Sequence, residues 1–600
     1  MRTLVKTCVL AGCGLVSAGL FAQGREAKAG YSAVPDTIFY DGNILTGTRL
    51  KAGDADPTPG RVTAVAIRAG KIVAVGADTA MLALKDSHTT TIDLKGAFAM
   101  PGFNDAHTHM ASAGRQRLSL DLDNVPSLAA MLAKVQAYAA KLPPGEWILG
   151  GGWDHTKWPG SKLPTRQDLD AVSAGHPAFL ERTDGHIAVA NTAALKVAGI
   201  TDSTLAPKGG AIDRDAGGKA TGILREGPTL ALVEKVIPPP SVATRRKAIE
   251  LSMQDALSHG VTSIQDFSDW DDWVAMEEME DEGTLHLRIA EWVDFNLPVG
   301  VLDERRKSHP ADDPLLHLTM LKGFMDGSLG SRTAAMNEPY SDDPSNSGIA
   351  RYDQGKLNQM AAERAAAGFQ LGFHAIGDLA NDMALNALAA AEQVGRPANV
   401  PAAPKNADAD VVTSAPGMVS PKDFRFRIEH AQVVSRAAFE RFAQLGVIAS
   451  MQPSHLLTDM AWATARLGPE RSKGAYAWKS FLDHGVTLAF GTDYPVESIS
   501  PFRGLYAAIT RQNVEGTQTF QPQEKITLDQ AIFAYTQASA FAEFREKTKG
   551  RLEPGYLADM VVLDRDITKV SPQDLLHTQV LRTVVGGNTV FQAAAGQMAR

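Results

Sequence analysis

The stretch F-N-D-A-H-T-H-M, residues 103–110, continues the apolar run A-F-A-M-P-G-F (97–103) and sets two histidines one residue apart at its end. In an extended chain residues i and i+2 project to the same side. If this run is a strand, His107 and His109 therefore point the same way. An apolar strand that finishes on two imidazoles fits the first strand of a parallel barrel, whose chemistry sits at the C-terminal ends of its strands.

Outward from that strand, apolar runs alternate with helical patterns such as S-V-A-T-R-R-K-A-I-E-L-S-M-Q-D-A-L-S-H-G (241–260) and G-K-L-N-Q-M-A-A-E-R-A-A-A-G (355–368). Such alternation predicts a parallel sheet with crossover helices. The strand-like runs are 98–106, 261–267, 285–293, 317–324, 369–373, 424–429, 446–451 and 486–492. Eight such units predict an α/β fold built on a TIM barrel.

Both chain ends read differently. Residues 36–100 form short strands separated by turn signals, and similar strands recur only in A-D-M-V-V-L-D-R-D and L-R-T-V-V-G-G-N-T-V-F near the C-terminus. Each end alone would leave an apolar sheet face uncovered. The expected arrangement is a composite β-sandwich of 30–97 and 547–600 around a catalytic barrel of 98–546. Residues 110–245 interrupt the alternation after the first strand and predict an inserted subdomain, a lid or substrate wall over the strand ends. Residues 396–424, rich in Pro, Ala and Asp, predict an exposed loop.

Composition narrows the partners. At 44% hydrophobic and 21% charged, with a formal net charge of -9, the chain has ample core material and no basic stripe. Charge argues against nucleic acid as a partner, and a small molecule is the expected one; a homodimer stays open. The N-terminus carries Arg2 and Lys6, an apolar run from Cys8 to Ala22, then small residues, the layout of a signal peptide over 1–29. That run is short of the ~20 residues of a membrane span, so the expected location is periplasmic or secreted. L-A-G-C (10–13) also resembles a lipobox, which would make Cys13 a lipid anchor. Both cysteines fall in this leader, so a conventionally cleaved chain has neither disulfide nor thiolate metal site.

The strand ends carry the chemistry: His107 and His109 on the first, Lys322 on the fourth, His374 on the fifth, His430 on the sixth and Asp493 on the eighth. With P-G-F-N-D-A-H-T-H-M, K-G-F-M-D-G-S-L-G-S-R-T-A-A-M, F-H-A-I-G-D, R-I-E-H-A-Q and G-T-D-Y-P-V-E, the mature chain resembles the amidohydrolase superfamily, specifically the amidohydrolase-3 (YtcJ-like) group of metal-dependent hydrolases. The resemblance implies two divalent ions, zinc by donor type with Mn or Fe as alternatives. His107, His109 and Asp493 would hold the buried ion, His374 and His430 the outer one, and Lys322, carboxylated on its amine, would bridge them. A plain Lys322–Asp326 salt bridge is the alternative, and it would leave one ion.

In that scheme metal-activated water attacks a carbonyl, with Asp493 as general base and then acid. The expected reaction is hydrolysis of a non-peptide C–N bond in an N-acyl or N-formyl amine. An ester or lactone hydrolase and a non-catalytic binding protein are the rival readings. His186 and Trp153, with Asp154 and His155, fall in the insertion as candidate substrate contacts. Arg332 and Ser328 are candidates for binding a carboxylate, and Asp105 and Asp378 for orienting a histidine's second nitrogen.

Overall fold

The computed structural model describes residues 34–47, 60–393 and 423–594. The N-terminal leader with Cys8 and Cys13, and nearly all of the expected 396–424 loop, lie outside the described residues. Eight parallel strands form the central sheet in sequence order: β1 (Phe103–Thr108), β2 (Val261–Asp266), β3 (Arg288–Asp294), β4 (Leu316–Phe324), β5 (Gln370–Ala375), β6 (Arg427–His430), β7 (Ile448–Met451) and β8 (Leu488–Phe490). Strands covered on both faces read as near-continuous apolar runs, and every residue of β5 is buried.

Crossover helices lie on the outside. The helix Val242–Ser258 starts where the Ser241 side chain accepts from the Thr244 N–H and buries Ala248, Ile249, Ser252, Met253 and Ala256, the i, i+4, i+8 stripe of a packed helix. No continuous ladder joins β8 to β1. The barrel closes instead through the loop after β8: Asp493 N–H donates to His107 O at 2.8 Å, and His109 N–H to Tyr494 O at 2.8 Å. Asp105 completes the clasp, accepting from the Thr492 hydroxyl at 2.6 Å and its N–H at 3.0 Å.

The run expected as one strand over 98–106 is two. Phe98–Pro101 pairs with Asn43–Leu45 and Met560–Leu563, in a six-stranded sheet that joins both chain ends. Phe103 onward pairs with β2. The chain changes sheets at Gly102, where a Cβ would lie 2.2 Å from the Thr262 side chain, so only glycine fits the crossing. A four-stranded sheet of residues 37–93 faces the six-stranded one over a core that includes Phe39, Ile44, Val65, Met560 and Val584.

The insertion builds its own six-stranded sheet between Leu120 and Arg225. The helices flanking it, Met110–Leu118 and Val242–Ser258, touch so closely that a Cβ on Gly114 would lie 1.9 Å from Ala248 O. They belong to the barrel's outer layer, so the added sheet spans less of the chain than 110–245. Among the described residues no helix is long and apolar enough to cross a membrane.

Candidate metal centre

Histidine is a metal ligand only as a neutral imidazole with one nitrogen free, and here the surroundings fix which one. His107 is fully buried at the end of β1, with Nδ1 2.7 Å from Glu429 Oε2. A carboxylate accepts, so Nδ1 carries the proton and Nε2 a lone pair. His109 Nδ1 faces Phe267 O at 3.2 Å, which frees its Nε2 in the same way. The two Nε2 atoms stand 3.5 and 3.2 Å from Asp493 Oδ1. β1 ends at Thr108 and His109 opens the following helix, yet both rings reach the same carboxylate oxygen.

Across the mouth, His430 Nδ1 lies 2.7 Å from Gln452 Oε1. His455 Nε2 is buried without a hydrogen-bond partner, 3.5 Å from Asp493 Oδ2. Potential ligand atoms of His107, His109 and Asp493 all lie within 4.8 Å of one another, as do those of His430, His455 and Asp493. Lone pairs that converge in this way repel unless a cation or proton stands among them. The donor set of imidazole nitrogen and carboxylate oxygen fits a divalent transition metal such as zinc.

Charge states agree with ligation. Burial pushes the His107, His374 and His430 imidazoles well below their ordinary pKa, reinforced by the Lys322 charge, His186 and His374 respectively, so all three are neutral. For Asp493 burial works the other way, and positive charge at the His107 and His109 positions outweighs it and holds the carboxyl below its usual range; with the imidazoles neutral, a cation among them would supply that charge. Both His430 (φ 73°) and Asp493 (φ 59°) adopt the left-handed backbone region, which non-glycine residues enter at a cost and which clusters at functional sites.

Lys322 is fully buried, its Nζ 3.1 Å from His107 Nε2 and 5.1 Å from the Trp292 ring centroid. Burial lowers its pKa to about 8. The alternative partner Asp326 is occupied elsewhere, accepting N–H groups of Ala335, Ile376 and Gly377. His374 stands 4.5 Å, ring to ring, from His430, with its Nε2 3.1 Å from Gly327 O. The outer set within ligand distance pairs His430 with His455, which stands past the strand ends and is not among the expected ligands, and leaves His374 beside it.

A cavity of about 950 Å³ opens over these groups between the barrel mouth and the inserted sheet. His186 lines it, its Nδ1 3.0 Å from Glu226 Oε2; burial would lower its pKa, but Glu226 prevails and raises it. Ser328 also lines the cavity, donating to Asp184. Trp153 does not: it packs in the core of the insertion, with Nε1–H donating to Leu180 O at 2.9 Å. A fully buried apolar ring is worth more as core than as wall. Arg332 is likewise corrected, paired with Asp342 at 2.9 Å outside the cavity. Neither Asp105 nor Asp378 orients an imidazole; Asp105 holds backbone at the barrel closure and Asp378 accepts from Asn337 N–H. The carboxylate that orients His107 is Glu429.

A parallel barrel with imidazoles and a carboxylate gathered at its mouth defines a metal-dependent hydrolase. The amidohydrolase family model matches residues 90–591, and the chain belongs to that family. It is similar to the putative amidohydrolase YtcJ of Bacillus subtilis (strain 168), 30% identical over 92% of this chain and 99% of that one. It is also similar to N-substituted formamide deformylase of Arthrobacter pascens, 27% identical over 87% and 94%. Among solved structures, an uncharacterized metal-dependent hydrolase from Pyrococcus horikoshii OT3 matches with a TM-score of 0.69 and 27% identity, over 89% of this chain and 99% of that chain.

Proposed function

We propose that the protein is an exported hydrolase that uses a divalent metal centre to cleave the non-peptide C–N bond of N-acyl or N-formyl amines. The observation that carries this reading is the convergence of His107, His109, His430 and His455 on the one carboxylate of Asp493, under a cavity large enough for a small molecule. The formamide deformylase among its relatives supports the substrate class. Export rests on the leader's layout alone.

His107, His109 and Asp493 would hold one ion; His430 and His455, with His374 beside them, would hold a second. A divalent ion so bound supplies a water that ionises near neutral pH and polarises the scissile carbonyl. Asp493, ionised at neutral pH, accepts that water's proton and passes it to the departing nitrogen as the C–N bond breaks. His186, held by Glu226 through Nδ1, would donate from Nε2 to the carbonyl oxygen as charge develops there only in its imidazolium form, which the Glu226 carboxylate favours. An ammonium on Lys322 would repel a cation beside His107. We therefore also propose that its amine adds CO2 and loses a proton, giving a carbamate whose oxygens would serve as ligands to the metal centre.

The test is the metal-loaded enzyme against N-formyl amines, N-acyl amines, aryl esters and lactones, before and after chelation. Amide turnover lost on chelation and restored by zinc is expected. Full turnover in metal-free protein would sink the proposal, and turnover of esters or lactones alone would move the assignment to those substrates. Metal analysis of Lys322→Ala distinguishes a bridged pair, which drops toward one ion, from a single site, which does not. In the same preparation, expressed from the full chain, a mature mass beginning between Gln23 and Gly30 indicates export; a lipidated Cys13 indicates anchoring, and a retained Met1 contradicts both.

A further inference from the structure

Among the described residues three arginines and no lysine line the cavity. Two of the arginines are committed. Arg115 pairs with Asp272 at 2.7 Å, and the buried Arg182 is held by Asp154 and Asp184, each at 2.6 Å. Arg351 is different: among the described residues its guanidinium has no hydrogen-bonding or ion-pair partner. Its backbone is fixed, since its N–H donates to Met325 O at 2.9 Å just beyond the end of β4. Its Cζ lies 5.5 Å from the Phe324 ring centroid, and that ring stands 5.4 Å from His374.

The guanidinium lies close against the cavity wall. A Cβ on Gly227, another residue of the cavity wall, would lie 3.0 Å from Arg351 Nη2. Arg351 is half-buried, so its guanidinium gives up part of its hydration without gaining an ion pair in return. A ring at 5.5 Å is a weak substitute for an anion. The five N–H donors of a guanidinium match a carboxylate through two parallel hydrogen bonds. The cavity thus has an unclaimed anion receptor on the same side as His186 and His374, one aromatic ring away from the metal centre.

We propose that Arg351 forms an anion subsite and that the substrate is an N-formyl or N-acyl amino acid, its carboxylate held by Arg351 while its amide carbon sits over the metal centre. The substrate half of this assignment rests on the amide-hydrolase reading above. The anion-binding half does not.

Two measurements test it. In the first, N-formyl and N-acetyl amino acids are compared with their methyl esters as substrates of the metal-loaded wild type, Arg351→Gln and Arg351→Lys. Wild type should favour the free acids, and Arg351→Gln should lose at least about tenfold more kcat/KM on the acids than on the esters, mainly through KM, as one charge-assisted contact predicts. Arg351→Lys should recover part of that loss. In the second, calorimetry follows glutarate, which the enzyme cannot hydrolyse, binding to metal-loaded and metal-free protein. Glutarate should bind both forms of the wild type and weaken about tenfold in Arg351→Gln. If no amide turns over yet glutarate still depends on Arg351, the hydrolase reading fails and the subsite stands. Equal losses on acids and esters, or glutarate binding indifferent to Arg351, would overturn the subsite.

Discussion

Glu429 shows how much a buried charge can do at one position. It is enclosed between the His107 ring, 2.7 Å from its Oε2, and Arg427, whose Nε lies 2.8 Å from its Oε1. It fixes the His107 tautomer, raises the ligand's basicity and balances the guanidinium beneath the metal centre. Glu429→Gln keeps the shape but removes the charge, so metal affinity should fall by about 10–100-fold. Equilibrium dialysis against zinc measures this, and unchanged affinity would reduce Glu429 to packing. Neither Glu429 nor His455 was legible as a functional residue. A carboxylate within R-I-E-H has nothing local to say which histidine it serves, because its partner is 322 positions away. His455 opens a helix four residues beyond β7, outside the strand-end positions that drew attention to the others. His107, His109, His430 and Asp493 were legible because each stands at or just past the end of an apolar run. Trp153 and Arg332 were misassigned because residue type alone does not tell which way a side chain turns.

At the scale of elements, all eight barrel strands could be read from sequence, since short apolar-rich runs alternate with helical patterns even where polar residues interrupt them, as in R-I-E-H. The boundary at Gly102 could not, because a change of sheet leaves the run continuous. Equally hidden was the polar plug at the barrel's floor. Glu543, fully buried beyond the helix Gln537–Ala542, lies 2.6 Å from Lys549 Nζ, accepts from Asn104 of β1 at 2.6 Å and stands 3.5 Å from His317 of β4. Lys549 in turn donates to Ser263 of β2 at 2.7 Å. These contacts tie the starts of three strands together. Burial would raise the Glu543 pKa, but the Lys549 charge prevails and holds it at about 2. A folded pKa below the ordinary 4.5 means that the native state binds fewer protons. The stabilisation is therefore complete above about pH 4.5 and is lost as pH falls from there toward 2. Glu543→Gln leaves Lys549 buried without its counter-charge and should cost about 3–5 kcal/mol near neutral pH. The gap between wild type and variant in urea midpoint should narrow as pH drops below about 4.5. A gap that stays constant down to pH 3 would show that Glu543 acts by shape alone.

Over the whole molecule, the chain ends and the barrel form one mechanical unit, because the sandwich strand Phe98–Pro101 runs through Gly102 straight into the strand that carries His107. Sequence revealed the composite sandwich from the recurrence of short strands at both ends, but not how it is fastened. The fastener is Arg288, the first residue of β3. Its Nε and Nη2 reach the two carboxylate oxygens of Asp559 at 2.6 and 2.8 Å, its Nη1 donates to Pro314 O, and both side chains are more than nine-tenths buried. Asp559 Oδ1 also accepts from Gly586 N–H at 2.9 Å, and its carbonyl accepts from Gly102 N–H at 3.1 Å. One aspartate thus holds both the barrel and the joint between the two sheets. Asp559→Asn leaves a buried guanidinium uncompensated, a loss of about 3–5 kcal/mol. If sandwich and barrel unfold together, calorimetry of the metal-loaded protein should show one transition, moved to lower temperature in the variant, and chelation should lower that same transition because bound metal stabilises only the native state. A separate low-temperature transition in Asp559→Asn, with metal still bound after it, would show that the sandwich folds independently and that the strand through Gly102 is a tether rather than a coupling.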